Sequence, residues 1–276
     1  MYIRARDLVR FKGSVELILR TPQQCKLVSA GIARAARAGW HGPTALVLRG
    51  CELGEDGAMQ LSDLLYKCPR LAILDLQGAY IGPTGAGFVA KRLSVMTDLT
   101  SLKLSYNELE ATGVSRLTGH LGSRLTLLDL NNNDIGPAGS TRIAHSLVSC
   151  PLLTHLSVAD NCLGSRGLAP LIELVAGATR LEYFDASENE LSCEAISALC
   201  RRMQEREGMR LSLSLSRAIS SSLVHFKVAD NLIRDLGCTY LATVLPSLVV
   251  LKTLDLRMNY ITHVCMYIRT YVSHPN

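Results

Sequence analysis

The densest polar chemistry in the chain lies at residues 127–140, LLDLNNNDIGPAGS, where three asparagines follow an aliphatic run and precede a Gly-Pro turn. A side-chain amide both donates and accepts, so Asn131, Asn132 and Asn133 could read a polar ligand or tie up backbone groups. The fragments LGEDG, IGPTG, IGPAG and LGSRG look like phosphate-cradling loops, but glycine recurs equivalently at Gly57, Gly85, Gly113, Gly139, Gly167 and Gly237. A nucleotide site needs one special loop, and the sequence holds no Gly-x-x-x-x-Gly-Lys-Ser/Thr. Asp129 and Asp185 could imitate a carboxylate pair for acid–base work, yet nothing around them encloses a substrate. The nine cysteines are scattered, with no CxxC pair and no zinc-ligand spacing, which predicts free thiols in a reducing compartment. No serine sits in a nucleophile elbow. The residues therefore predict a protein that is not an enzyme, with no cofactor and no metal.

What positions these residues is a repeat. The stretches LAILDLQGA at 71, LTSLKLSYN at 99, LTLLDLNNN at 125, LTHLSVADN at 153, LEYFDASEN at 181, LVHFKVADN at 223 and LKTLDLRMN at 251 share one frame. PTALVLRGC at 43 fits it with cysteine in the asparagine place. The last positions, Cys51, Ala79, Asn107, Asn133, Asn161, Asn189, Asn231 and Asn259, are separated by 28, 28, 26, 28, 28, 42 and 28 residues. One step is thus two residues short, and another carries 14 extra. Within a unit, a short strand sends Leu74 and Leu76 to one face and Ile73, Asp75 and Gln77 to the other. A turn follows, then an amphipathic helix with Phe88, Val89 and Leu93 at helical spacing. One unit cannot bury its apolar face alone, so neighbours must stack, each buried Leu or Ile contributing roughly 1.5–3 kcal/mol.

On these residues the chain resembles the leucine-rich repeat, specifically the 28-residue ribonuclease-inhibitor-like class, from about residue 43 onward in eight units. Similar repeats occur in Ran GTPase-activating proteins, tropomodulins and NOD-like receptors. The resemblance implies an α/β fold: a right-handed solenoid, or horseshoe, with a concave parallel β-sheet and convex helices. It also implies that the frame-ending asparagine points inward and bonds turn backbone, so that Asn133 is architectural while Asn131 and Asn132 face outward.

Residues 1–42 read as a degenerate N-terminal capping unit, with VELIL at 15–19 a strand and Leu17 standing 29 residues before Leu46. Residues 43–276 hold the eight repeats, an insertion at about 201–222 whose first part extends the sixth helix, and an incomplete C-terminal cap. That last feature predicts a capping contact from another chain or a self-contact. No apolar run reaches the roughly 18 residues a membrane helix needs, so the expectation is a cytoplasmic protein, with a cytoskeletal or ciliary site as a variant, and no membrane partner. The formal net charge of +5 is too mild to call for nucleic acid.

A partner would meet the outward slots. Between the inward leucines these carry Asp75, Lys103, Asp129, Asp185, Lys227 and Asp255, and just before the asparagine Tyr106, Asn132, Asp160, Glu188 and Asp230. Acid thus gathers on the inner curve, and arginines such as Arg34, Arg37, Arg92, Arg142, Arg201, Arg202 and Arg206 fall on the helices. A basic protein partner is what this charge selects. Tyr106, Tyr183 and His225 are the candidate anchors, with His155, Asn131 and Arg257 on the same surface. His155 and His225 share a slot two units apart, too far to hold one metal. The function expected is a non-enzymatic scaffold that docks a protein on its concave face. The alternatives are a Ran-type GTPase-activating protein, although the acidic tail of those proteins is missing here, or a permanent subunit of a cytoskeletal or ciliary assembly.

Overall fold

Alternation of leucine with polar residues makes a short, half-buried strand, and the aliphatic spacing after it makes a helix. In the computed structural model, which describes residues 16–18, 42–177, 180–208 and 222–262, the frames do form strands and the stretches between them helices. The chain falls into two compact units, Met1–Asn133 and Asp134–Asn276.

The first unit holds strands β1 (Glu16–Ile18), β2 (Ala45–Val47), β3 (Ile73–Asp75), β4 (Ser101–Lys103) and β5 (Leu127–Asp129). Its described helices are α1 (Gly54–Leu65), α2 (Gly82–Leu93) and α3 (Glu110–Thr118). Consecutive strands pair in parallel, and the register aligns Leu17, Leu46, Leu74, Leu102 and Leu128 in one row. The 26-residue step leaves this register intact because the helix absorbs it: α3 has 9 residues where α2 has 12. Leu46, Leu48, Leu74, Leu76, Leu102 and Leu104 are wholly buried, so the row between sheet and helices is the core of the unit. At roughly 1.5–3 kcal/mol each, these side chains dominate the favourable side of folding.

The second unit runs α4 (Gly136–Leu147), β6 (His155–Ser157), α5 (Gly164–Gly177), β7 (Tyr183–Asp185), α6 (Cys193–Gly208), β8 (His225–Lys227), α7 (Asp235–Val244) and β9 (Thr253–Asp255). Strands β6 to β9 are parallel, with Leu156, Phe184, Phe226 and Leu254 in register. Phe184 and Phe226 stack at 6.1 Å, filling with rings the row that leucine fills elsewhere. The 14 extra residues do not separate β7 from β8; α6 takes up some of them by running on to Gly208. Residues 209–221 of the expected insertion lie outside the described residues, as do most of the capping unit and residues 263–276, on which the expected C-terminal contact falls.

Glycine in the helices answers to space. A Cβ on Gly85 would stand 2.8 Å from the Ala58 Cβ on α1 and 2.9 Å from that of Ile81, so only hydrogen lets α1 and α2 approach this closely. Gly82 answers instead to conformation: its φ of +62° turns the chain into α2, and its N–H donates to the Asn107 carbonyl of the next repeat. Glu110 does the same work at φ 55° with a side chain attached.

Candidate protein-docking face

The asparagine slot is architectural. Asn107, Asn133, Asn161 and Asn189 are completely buried and Asn231 nearly so. The Asn133 Nδ2 donates to the carbonyls of Leu104, Leu130 and Asn131, while its Oδ1 accepts from the backbone N–H groups of Asn107 and Leu109. Asn189 and Asn231 repeat the arrangement in the second unit. The Asn133, Asn189 and Asn231 amides therefore each tie their own turn to that of the preceding repeat within their unit. Asn131 and Asn132 lie half-buried beside the ladder, at the end of β5.

On the opposite face of the sheet, the first unit aligns Ala45, Ile73, Ser101 and Leu127 in one row and Val47, Asp75, Lys103 and Asp129 in the next. Asp75 is buried, not presented to solvent: Arg49 Nη2 stands 2.6 Å from its Oδ2. This hydrogen bond is the main reason that the Arg49 pKa is raised. Asp75 Oδ1 also accepts from the Gln77 N–H at 3.2 Å. That second bond recurs at Asp129, Asp185 and Asp255, each accepting the N–H two residues on. Aspartate in this slot thus closes a local turn at the strand end before it offers charge to anything else. Lys103 and Asp129 are half-buried, and Tyr106 is exposed at the turn with φ 58°.

The second unit aligns His155, Tyr183, His225 and Thr253, then Ser157, Asp185, Lys227 and Asp255. His155 and Tyr183 stack at 5.7 Å with planes 16° apart, and His225 lies 6.1 Å from Tyr183 on the other side. Hydroxyls fix the ladder: Thr154 Oγ1 is 2.8 Å from the His155 Nδ1, and Thr253 Oγ1 is 3.1 Å from the His225 Nδ1. Tyr183 Oη donates to Asp185 Oδ2 at 2.9 Å, and burial is the main force raising its pKa. Lys227 Nζ lies 5.0 Å from the Tyr183 ring centre and 3.7 Å from Asp185, whose side chain is buried. Its pKa is raised, first by hydrogen bonding to Tyr183. Arg257 clamps Asp255 through both carboxylate oxygens, at 2.9 and 2.7 Å, and holds its pKa low.

The middle row is therefore neutralised within the fold. Beyond it, at the C-terminal ends of the strands, Asp160, Glu188 and Asp230 occupy equivalent turn positions at φ 52°, 55° and 49°. Their charges crowd one another: the Glu188 pKa is raised, first by burial and then by Asp160, Asp230 and Asp185. Asp134, Glu190 and Asp160 similarly raise the thiol of exposed Cys162, after burial. Buried thiols are pushed higher by loss of solvent, Cys68 and Cys200 to about 12 and Cys150 to about 11. Among the described residues no group of His, Cys, Asp or Glu is placed to hold a metal ion, and no helix is long and apolar enough to cross a membrane.

A family model described as Leucine Rich repeat matches residues 95–117, 124–144 and 149–171. Ribonuclease inhibitor from Sus scrofa is 30% identical over 197 residues, covering 67% of this chain and 41% of that protein. The chain is a ribonuclease-inhibitor-like leucine-rich-repeat protein. Protein NLRC5 from Mus musculus is 28% identical over 231 residues, 78% of this chain and 10% of its own length. RAN GTPase-activating protein 2 from Arabidopsis thaliana is 27% identical over 128 residues, 44% of this chain and 23% of its own. The leucine-rich-repeat chain thus spans less than half of each of these relatives. Its strands and helices alternate as the α/β solenoid of that family requires.

The alternate strand positions read from the sequence do lie opposite the buried leucines, but the reading missed Arg49, which lies two residues beyond the end of β2, a strand that carries no acid of its own. It missed the aromatic ladder as a unit as well, although His155, Tyr183 and His225 occupy one slot in successive frames. Helix arginines tie helices together: Arg92 bonds Ser62 Oγ at 2.8 Å, Arg116 bonds the Pro83 carbonyl at 2.6 Å, and Arg202 clamps Glu173. Arg34, Arg37 and the side chain of Arg206 lie outside the described residues.

Proposed function

We propose that this chain is a non-enzymatic scaffold that docks a protein partner on the strand faces opposite its helices and on the adjoining turns. The observation that carries this reading is the row His155–Tyr183–His225, half-buried and held by hydroxyl and carboxylate neighbours on an open sheet face. Rings pre-set in this way lose little entropy on contact and are the usual anchors of interfaces. Tyr106 would serve the first unit in the same role. The residues Asp75, Asp185 and Asp255 organise the face, whereas Asp129, Asp160, Glu188 and Asp230 would steer a basic partner toward it. Immobilised wild-type chain, compared with a variant carrying Tyr106→Ser, Tyr183→Ser and Glu188→Lys, tests this. A partner recovered by the wild type should be lost from the variant; equal recovery by both, with both folded, counts against the face.

A second reading follows from the similarity to RAN GTPase-activating protein 2. On that reading the chain would speed GTP hydrolysis by a small GTPase by completing or positioning its catalytic groups, a contribution large enough to see in a turnover assay. Unchanged phosphate release over a panel of such GTPases removes it.

A further inference from the structure

The second unit holds a cavity between its sheet and the ends of its helices. Helix α4 stops at Leu147, whereas α5, with 14 residues against 12, runs past the equivalent Val175 to Gly177. Beside these unequal ends lies a space of about 300 Å³. Leu147, Cys150, Leu153, Leu156 and Leu181 line it and are buried, and half-buried Leu174 completes the wall. Burial pushes the Cys150 thiol up to about 11, so it stays protonated and adds no charge. At the mouth Val148, Glu173 and Arg180 are exposed to solvent. The two acid–base members differ in their state. Arg202 on α6 clamps Glu173 through both carboxylate oxygens. No carboxylate among the described residues pairs with Arg180.

We propose that this cavity binds a small aliphatic carboxylate, its alkyl chain among the leucines and its head group on Arg180. Size sets the length of the chain. A dry apolar cavity of about 150 Å³ admits benzene, so one of twice that volume takes a ligand of roughly ten to twelve non-hydrogen atoms. The wall sets the chemistry of the chain: leucine side chains offer apolar surface that gains from being covered, and a flexible alkyl chain follows their contour without needing a ring to stack on. Charge complementarity sets the head. A guanidinium grips a carboxylate with two parallel bonds, and Arg180 is the group at the mouth that has none to grip. Glu173 does not compete for it, because both of its oxygens are held by Arg202. An amine of the same length would be repelled by Arg180, and an alcohol would gain the wall without the head. The cavity uses none of the residues of the strand face, so the proposal goes beyond the scaffold reading and does not depend on it.

Isothermal titration calorimetry of the full chain with octanoate and with octanol tests the idea. The wild type should bind octanoate about three- to fivefold more tightly than octanol, the advantage of one solvent-exposed ion pair. Arg180→Gln should bring the two ligands level by weakening octanoate alone. Leu174→Trp, which puts bulk into the cavity from a half-buried wall position, should abolish binding of both. Circular dichroism melts establish that each variant is folded, and Leu174→Phe replaces Leu174→Trp if that chain does not fold. Octanoate bound no more tightly than octanol, a preference for octanoate that survives Arg180→Gln, binding that survives the filled cavity, or no binding of either ligand overturns the proposal. A wild-type chain that ignores octanoate, yet loses a captured protein on Leu174→Trp, also overturns it and gives the cavity to a side chain of that partner. The strand-face variant should bind octanoate as the wild type does, so that failure of the cavity and failure of the docking face are read apart.

Discussion

Replacing Asn189 by alanine should cost far more than replacing the neighbouring-slot Asn131, although both are asparagines beside a strand. The Asn189 amide is completely buried. Its Oδ1 accepts from the backbone N–H groups of Asn161 and Leu163 at 3.1 and 3.2 Å, and its Nδ2 donates to the carbonyls of Val158 and Ser187 at 2.9 and 2.8 Å. Not all four partners suffer alike. Val158 keeps a bond from Asn161 Nδ2 at 3.0 Å, and Ser187 keeps one from the Asp160 N–H at 3.0 Å. The two N–H groups lose the acceptor they share, and each stranded buried donor costs about 1–3 kcal/mol. Asn189→Ala should therefore lose about 2–4 kcal/mol, against less than about 1 kcal/mol for the half-buried Asn131→Ala. Urea unfolding followed by circular dichroism measures both, with the slope checked for constancy so that a midpoint shift can be read as stability. Amide hydrogen exchange adds a local reading, since Asn161 and Leu163 should lose protection first. Equal losses in the two variants, or a loss below about 0.5 kcal/mol in Asn189→Ala, would refute the assignment of this slot to the backbone.

Three further outcomes follow from the same geometry. Gly85→Ala should destabilise by about 1–3 kcal/mol, because the new methyl meets Ala58 at 2.8 Å, and adding Ala58→Gly should restore part of that loss in a double-mutant cycle. Glu110→Gly should raise the melting temperature, gaining about 0.5–1 kcal/mol, since Glu110 holds φ 55° where Gly54, Gly82, Gly136 and Gly164 stand in other repeats. The raised Glu188 pKa means that its carboxylate opposes folding above that pKa and that the penalty disappears as pH falls through it. Glu188→Gln should accordingly stabilise the chain at neutral pH and match the wild type below about pH 4, as thermal melts across pH would record.

Much of the fold was legible because it rests on periodic rules. The spacing of Cys51, Ala79 and the six asparagines fixed which residues would be neighbours across strands, and the observed registers follow it even where the step changes to 26 or 42. A helix can shorten or lengthen without disturbing the strand beside it, so α3 takes up the shorter step and α6 part of the longer one. The glycines were legible as structural for a similar reason, although recurrence alone did not separate Gly85, which answers to a neighbouring helix, from Gly82, which answers to backbone conformation.

The face was less legible because charge on a sheet is a property of pairs. Counted along the chain, Asp75, Asp129, Asp185 and Asp255 make an acidic surface. Across the strands, Asp75 meets Arg49 and Asp185 meets Lys227, while Tyr183 and Arg257 meet Asp185 and Asp255 from two residues away along the chain. Each aspartate also spends one oxygen on its own turn. At the turns no basic residue occupies the same slot on the next strand: Asp160, Glu188 and Asp230 follow one another in consecutive frames. A row of like charges costs stability that alternation would have avoided, as the Asp185–Lys227–Asp255 row shows one slot away.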